Sequence, residues 1–348
     1  MPVPVVLADL TTLRLGGPAP ELVIAGTADE VADAVGSRDR VLVLGGGSNL
    51  VVADAGVSMP VVRIAIGGID RRPATDGATL VRIGAGLDWD AVVAELTAEG
   101  FAELAPLSGI PGSVGATPVQ NVGAYGAEIA DFLHSVTVFD RRSRQIVAMT
   151  AADLQLGYRS SILRGTDRAV VLDVTLRLHQ GPSTVRYAEL AGNLALEPGG
   201  TAPVADVRQA VLELRRGKGM VLDPTDPDTT SAGSFFTNPI LDDAGWARAR
   251  ATIADRLGAD VAPPAWPAGT DTKLSAAWLI DRAGFGKGYP GPGGRVAISS
   301  KHTLALTNRG TGSTADLLVL AAEIRDGVQA AFSVRLQPEP VFVGVSLD

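Results

Sequence analysis

Two stretches of this 348-residue chain have the composition for close approach to a ligand. One is Gly45-Gly-Gly-Ser-Asn49, directly after the apolar run Val41–Leu44. The other runs from Pro106 to Gly126 and carries no charged residue. Glycine lets backbone come near a ligand and reach positive φ, and proline fixes φ. Disorder would need high polarity or charge, so the longer stretch reads as an ordered loop whose N–H groups face an anion. A self-packed Ω-loop is the alternative for the long stretch, and a tight β-turn for the short one. Two familiar phosphate motifs are excluded. No Gly-Lys-Ser/Thr follows the glycines, and Leu50 stands where a dinucleotide fingerprint needs its third glycine.

Other chemistries are narrowed by composition. The chain has no cysteine, hence no thiolate, disulfide or thiol nucleophile. His134, His179 and His302 lack metal-ligand spacing, so no metal is expected. Asp223, Asp226 and Asp228 admit a metal reading, but aspartate before proline favours turn chemistry. A net charge of −8 argues against a nucleic-acid surface. The N-terminal residues lack a basic leader region, and no apolar run reaches transmembrane length. A soluble, globular, cytoplasmic protein is expected, without membrane insertion.

The elements that must position these loops follow from pattern. Thr27 with Glu30 forms a capping box opening a helix through about Val35. Strands are expected at Val41–Leu44, Val61–Ile66, Thr79–Ala85, Ser135–Phe139 and Gln145–Met149. Asp88 caps a helix with Trp89, Val92, Val93 and Leu96 on one face. Residues 169–178 read as a half-buried strand, with Leu172, Val174, Leu176 and Leu178 inward and Asp173, Thr175 and Arg177 outward. A helix carries Val207, Ala210, Val211 and Leu214, and a domain boundary is placed near Arg216. Helices follow near 242–257, 275–282 and 313–332, with a strand at Thr303–Thr307 and an extended tail.

The segments Thr11-Thr-Leu-Arg14, Leu44–Leu50, Ser108–Gly126, Gly157-Tyr-Arg-Ser-Ser161, Gly233-Ser-Phe-Phe-Thr-Asn-Pro239 and Pro338-Glu-Pro340 occur in order over nearly the whole chain. Together they resemble the UDP-N-acetylenolpyruvoylglucosamine reductase (UDP-N-acetylmuramate dehydrogenase) family, in its longer subtype with a mobile tyrosine. The resemblance implies an α+β fold: an FAD cradle of the vanillyl-alcohol-oxidase (PCMH) type made of two subdomains, and a C-terminal α+β domain that closes over the UDP-sugar. It places the first subdomain at 1–66 with 336–348, the second at 67–216 and the substrate domain at 217–335. It implies non-covalent FAD, NADPH as co-substrate, and reduction of UDP-N-acetylglucosamine enolpyruvate to UDP-N-acetylmuramate in cell-wall peptidoglycan synthesis. A monomer is expected.

The same resemblance distributes roles. Gly45, Gly46, Gly47, Ser48, Asn49 and Leu50 would hold FAD, together with Ser108, Ile110, Pro111, Gly112, Ser113, Gly115, Ala116, Gln120, Asn121, Gly123, Ala124 and Tyr125. Hydride would pass from flavin to C3 of the enolpyruvyl group. Arg159 would offer bidentate donors to the carboxylate as charge builds. Ser234 would give the proton to C2, and Glu339, rigid between two prolines, would polarise the carboxylate or a water. Without the resemblance, Arg159 reads as a surface arginine, Ser234 as a cap and Glu339 as a turn residue. Tyr158, Tyr187, Lys218, Asn238, Lys287 and His302 would bind the UDP-sugar. His302 departs from the glutamine common there in relatives, and the Lys218–Ser234 spacing is longer than in enteric ones. Two rival readings are an alcohol or lactone oxidase on the same cradle, and a UDP-sugar-binding protein without catalysis. The first would leave Arg159 and Ser234 without use. Retention of all three catalytic candidates weighs against the second.

Overall fold

The computed structural model describes residues 5–347; the first four residues and Asp348, at the outer limits of the expected first subdomain, lie outside the described residues. The chain divides into two compact units, each of mixed helix and sheet. Of the described residues, the first comprises 5, 19–47 and 58–222, and the second 6–18, 48–57 and 223–347.

The first unit is built on two larger sheets. Strands Leu22–Ala25, Val61–Ile64 and Leu42–Leu44 form a parallel three-stranded sheet with Val61–Ile64 in the middle. The helix Ala28–Gly36 covers part of its core through Val31, Ala34 and Val35. Thr27 caps this helix by accepting from Glu30 N at 3.2 Å, while the Glu30 carboxylate reaches back to Gly26 N at 2.7 Å. The second sheet is antiparallel, in the spatial order Gln145–Thr150, Leu133–Asp140, Ala169–Leu178, Thr79–Gly84 and Ile69–Pro73. Its helix Trp89–Ala98 is capped by Asp88, which accepts from Ala91 N at 2.9 Å. Trp89, Val92, Val93 and Leu96 are buried in the same core as the sheet.

The strand 169–178 corrects one expectation. It lies in the middle of its sheet, and Asp173, on the face opposite Leu172 and Val174, is buried rather than solvated, only 4 % exposed. Arg82 on one neighbouring strand (2.7 Å) and Thr137 on the other (3.0 Å) donate to its two oxygens, which makes a buried carboxylate tolerable. The strand Ile69–Pro73 is charged and lies at the sheet edge. Charge on an edge strand blocks pairing with other chains, and it also hides the strand from a hydrophobic pattern search.

The second unit packs the helices Asp243–Leu257, Ala276–Arg282 and Thr314–Phe332 with an antiparallel sheet ordered Ser231–Ser234, Ala305–Asn308, Val296–Ile298. Leu317, Leu320, Ala321, Ile324 and Val328 of the longest helix are fully buried. The last strand, Val341–Val343, returns to pair in parallel with Leu50–Val52. Among the described residues, no helix is long and apolar enough to cross a membrane.

Candidate active site

In the first unit, the glycines at the end of Leu42–Leu44 are interlocked with the long loop. A Cβ on Gly45 would lie 2.3 Å from Ser113 Oγ, and one on Gly46 would lie 2.7 Å from Gly112 Cα. Gly115 packs as closely on Ala85. Gly47 has φ +63°, in the left-handed region that favours glycine. The glycines thus bring two backbone segments together, leaving a surface made of peptide groups rather than side chains. Ser48, Asn49 and Leu50 continue the short loop into the second unit, where Leu50 opens a strand.

The long loop is ordered by a dense set of bonds. Trp89 N donates to Gly112 O (2.9 Å), Val114 N to Leu87 O (2.9 Å) and Gly115 N to Ala85 O (2.9 Å). The Ser108 hydroxyl donates to Ala105 O at 2.7 Å, and Gly109 N donates to Asp90 at 2.6 Å. Burial raises the Asp90 pKa, but hydrogen bonds from Arg208 and from Gly109 N outweigh it, so this carboxylate stays ionised. Asn121 is 1 % exposed and has φ +45°. Its amide donates to Glu128 (2.8 Å) and to Gly157 O (3.0 Å), and its oxygen accepts from Ala130 N (3.0 Å). The side chain therefore ties the loop to the Gly157–Ser160 turn, on which Tyr158 and Arg159 sit.

Arg159 itself occupies the left-handed region at φ +51°. For a residue with a side chain this costs on the order of 1 kcal/mol or more and recurs at functional sites. Gly157 and Ser160 exchange backbone bonds of 3.0 and 3.1 Å that hold the turn. The guanidinium lies over the Tyr158 ring at 5.4 Å, and Nη2 donates to Gly123 O at 2.8 Å. The loop thereby fixes the direction of the arginine fork.

Tyr125 and Gly126, at φ +49° and +81°, form the tip of a small hairpin whose arms pair Ala124 with Ala127. Two positive φ angles are what a tight two-residue hairpin requires. At the tip, the Tyr125 ring meets Tyr187 edge-to-face at 5.6 Å, and Lys218 Nζ lies 5.7 Å from the same ring. Burial pushes the Tyr125 phenol up to about 12, and burial also raises that of Tyr187, so both remain protonated donors at neutral pH. Lys218 is ion-paired with Glu189 at 2.6 Å.

Two participants here escaped the sequence reading. Glu189 is one. The other is Arg215, whose Nε is buried without a hydrogen-bond partner although the residue as a whole is half-buried. Burial lowers its pKa, and Tyr125 and Asp90 oppose that. Its Nε lies 3.3 Å from where a Gly109 Cβ would stand, so a cation underlies a loop that has none. The helical period Val204, Val207, Val211 places residue 215 on the inward face, which was the available signal.

In the second unit, Ser234 follows Gly233, whose φ is +74°. The pairing of Ser231–Ser234 with Ala305–Asn308 slips between Ser231, opposite Thr307, and Ser234, opposite Ala305, a bulge just before Ser234 that re-aims the strand there. Ser234 is half-buried. Its neighbour Phe235 accepts at its carbonyl from Glu339 N at 2.9 Å, which brings Glu339 one strand away from Ser234. Asn49 O accepts from Val341 N at 2.9 Å, so the short loop touches the same strand. The Asn238 side-chain oxygen caps the helix Ala276–Arg282 through Ala276 N at 3.0 Å. His302 lies in the turn between Ser299 and Ala305, and Lys287 is exposed beside Gly288, whose N donates to Ser299 O at 3.3 Å. No cluster of three metal-binding side chains exists among the described residues.

A peptide surface without side-chain charge, backed by the half-buried Arg215, suits the pyrophosphate of a dinucleotide cofactor. A family described as the FAD binding domain matches residues 20–148, which contain both glycine loops. The family described as the C-terminal domain of UDP-N-acetylenolpyruvoylglucosamine reductase matches residues 223–343. Relatives of that same name from Saccharopolyspora erythraea and Thermobifida fusca are 57 % and 52 % identical. Each alignment covers 98 % of this chain, and 95 % and 97 % of the relative. The crystal structure of the reductase from Thermus caldophilus superimposes with a TM-score of 0.67 at 28 % identity, over 98 % of both chains. The fold and loops thus define a flavin-dependent oxidoreductase. The chain belongs to the UDP-N-acetylenolpyruvoylglucosamine reductase family. FAD is its cofactor, and the glycine cradle described above fits it.

Proposed function

We propose that the protein reduces UDP-N-acetylglucosamine enolpyruvate to UDP-N-acetylmuramate, with NADPH as reductant, in peptidoglycan synthesis. Gly45–Leu50 and Ser108–Tyr125 would hold FAD, which would supply the chemistry of hydride transfer from NADPH to C3 of the enolpyruvyl group. The chain's own residues handle charge and protons. Arg159 presents a planar fork to the substrate carboxylate, where negative charge accumulates once C3 is reduced. Ser234 supplies the proton to C2. A serine hydroxyl is a weak acid, so it serves only a strongly basic carbon and only when well placed. Glu339 polarises the carboxylate or a bound water. Tyr158, Tyr187, Lys218, Asn238, Lys287 and His302 bind the UDP-sugar, with Lys218 opposing its diphosphate.

The observation that carries this reading is the bulge at Gly233. It shifts the register immediately before Ser234, which pairs opposite Ala305, and the next carbonyl, that of Phe235, is bonded to Glu339 N. A purely structural serine in that strand would need no such distortion. The test is NADPH consumption by the purified holoenzyme that depends on the enolpyruvyl UDP-sugar and yields UDP-N-acetylmuramate. Oxygen-dependent oxidation of simple alcohols, with no response to the UDP-sugar, would replace this reading with an oxidase.

Arg159→Lys is expected to lower turnover far more than substrate affinity. Lysine keeps the charge but cannot both hold Gly123 O and offer parallel donors. An unchanged turnover number in steady-state kinetics would remove Arg159 from the chemistry. Lys218 and Glu189 should act in opposite directions. Lys218→Ala raises KM for the UDP-sugar because phosphate charge is left unpaired. Glu189→Gln lowers it, because the diphosphate no longer competes with a carboxylate 2.6 Å from the ammonium. If Lys218→Ala affects only the NADPH step, its role is misassigned.

A further inference from the structure

The three aspartates between Leu222 and Thr230 do two different things. Asp223 and Asp226 close turns: Asp223 accepts from Thr225 N at 2.8 Å, and Asp226 from Asp228 N at 3.0 Å. Asp228 does not. It is 5 % exposed and reaches a distant part of the same unit. Its Oδ1 accepts from Ser300 N (2.9 Å) and Arg309 Nη1 (3.1 Å), and its Oδ2 accepts from the Ser300 hydroxyl (2.5 Å). Burial raises the Asp228 pKa, but the Ser300 bonds and Arg309 outweigh it, so the carboxylate is ionised.

Apart from Arg309, what this carboxylate grips lies at the root of one turn. Within that turn Ser299 Oγ accepts from Lys301 N (3.0 Å) and His302 N (3.3 Å). Ser299 O accepts from Gly288 N, beside Lys287, at 3.3 Å. Leu304 O accepts from Phe235 N, beside Ser234, at 2.7 Å. Asp226 reinforces the grip through Lys301 Nζ at 2.5 Å. Residues 299–304 therefore bond to the backbone next to Ser234, next to Lys287 and at His302 itself. Asp228 anchors the backbone and hydroxyl of Ser300 from outside the turn, with Asp226 holding the Lys301 side chain beside it.

We propose that Asp228 is a positioning residue for the reduction of the UDP-sugar: by clamping Ser300 it sets the Ser299–Leu304 turn, and through it the placement of Ser234 and His302. The proposal rests on the function given above. It differs from a general stabilising role in its signature. A displaced proton donor slows only the step that needs the proton, whereas a weakened fold lowers every activity together. A shift of ~1 Å suffices for ~10²-fold in rate.

The experiment uses FAD-loaded enzyme and the variants Asp228→Asn and Ser300→Ala. Rapid-mixing absorbance follows flavin bleaching by NADPH, then flavin recovery on adding the enolpyruvyl UDP-sugar. Titration calorimetry gives the Kd of the UDP-sugar for the oxidised holoenzyme. For Asp228→Asn, flavin content and bleaching should stay near wild type, recovery should slow by about tenfold or more, and Kd should rise. Ser300→Ala should show the same pattern in weaker form. The double variant should be no worse than Asp228→Asn alone, since both act through one contact. Wild-type recovery rates in both single variants would overturn the proposal. So would parallel loss of bleaching, recovery and melting temperature. Should Asp228→Asn fail to fold, Ser300→Ala, which removes only one hydroxyl, decides by the same criteria. Failure of wild-type flavin to recover with the UDP-sugar is a separate result; it would overturn the functional reading and the proposal together.

Discussion

Gly46→Val is expected to purify as a colourless apoprotein. The branched side chain would start 2.7 Å from Gly112 Cα and 2.9 Å from Gly112 C, and backbone cannot yield as a flexible side chain does. The two glycine loops would be forced apart, and the peptide surface proposed to receive the FAD pyrophosphate would lose its shape. The Gly112 carbonyl also anchors this region to the start of the Trp89–Ala98 helix, since Trp89 N donates to Gly112 O. A cooperative melt of the colourless protein separates loss of cofactor from loss of fold. Full flavin content in this variant would refute the cradle assignment.

Ser234→Ala should split two half-reactions. Bleaching of the flavin by NADPH needs no proton at C2 and should remain near normal. Recovery with the UDP-sugar should slow by ~10²- to 10⁴-fold, the usual worth of general acid catalysis. Ser234→Cys places a better acid at a similar position and should regain part of the rate. Rapid mixing with each substrate in turn gives both numbers. Equal slowing of both steps would assign Ser234 to packing, and an unaffected second step would pass the proton to another donor, with Glu339 first in line.

Much of this was legible because it is local. Caps at Thr27, Asp88 and Ser313 mark helix starts by a side chain and a backbone N–H three residues apart. The two glycine loops announce themselves by composition. What they do for the fold was less visible. Gly45 and Gly46 are small because protein backbone, not only ligand, lies against them. Long-range partners were illegible for the same reason that Asp173 misled: its burial depends on Arg82, 91 residues away in sequence, and on Thr137. Asp228 has the same character. From sequence it is one more aspartate in a proline-rich turn; its partners Ser300 and Arg309 lie 72 and 81 residues on. The charged strand Ile69–Pro73 was missed because an edge strand needs no apolar face. The bulge at Gly233 was hidden because a glycine between small residues does not declare which way its neighbour points.

The account stands or falls on whether the enolpyruvyl UDP-sugar is the oxidant of the NADPH-reduced enzyme. Under anaerobic conditions, enzyme bleached with one equivalent of NADPH should recover its full visible flavin absorbance on addition of one equivalent of UDP-N-acetylglucosamine enolpyruvate. UDP-N-acetylmuramate should appear in matching amount. Flavin that stays bleached with this substrate, and regains colour only when oxygen is admitted, would contradict the account.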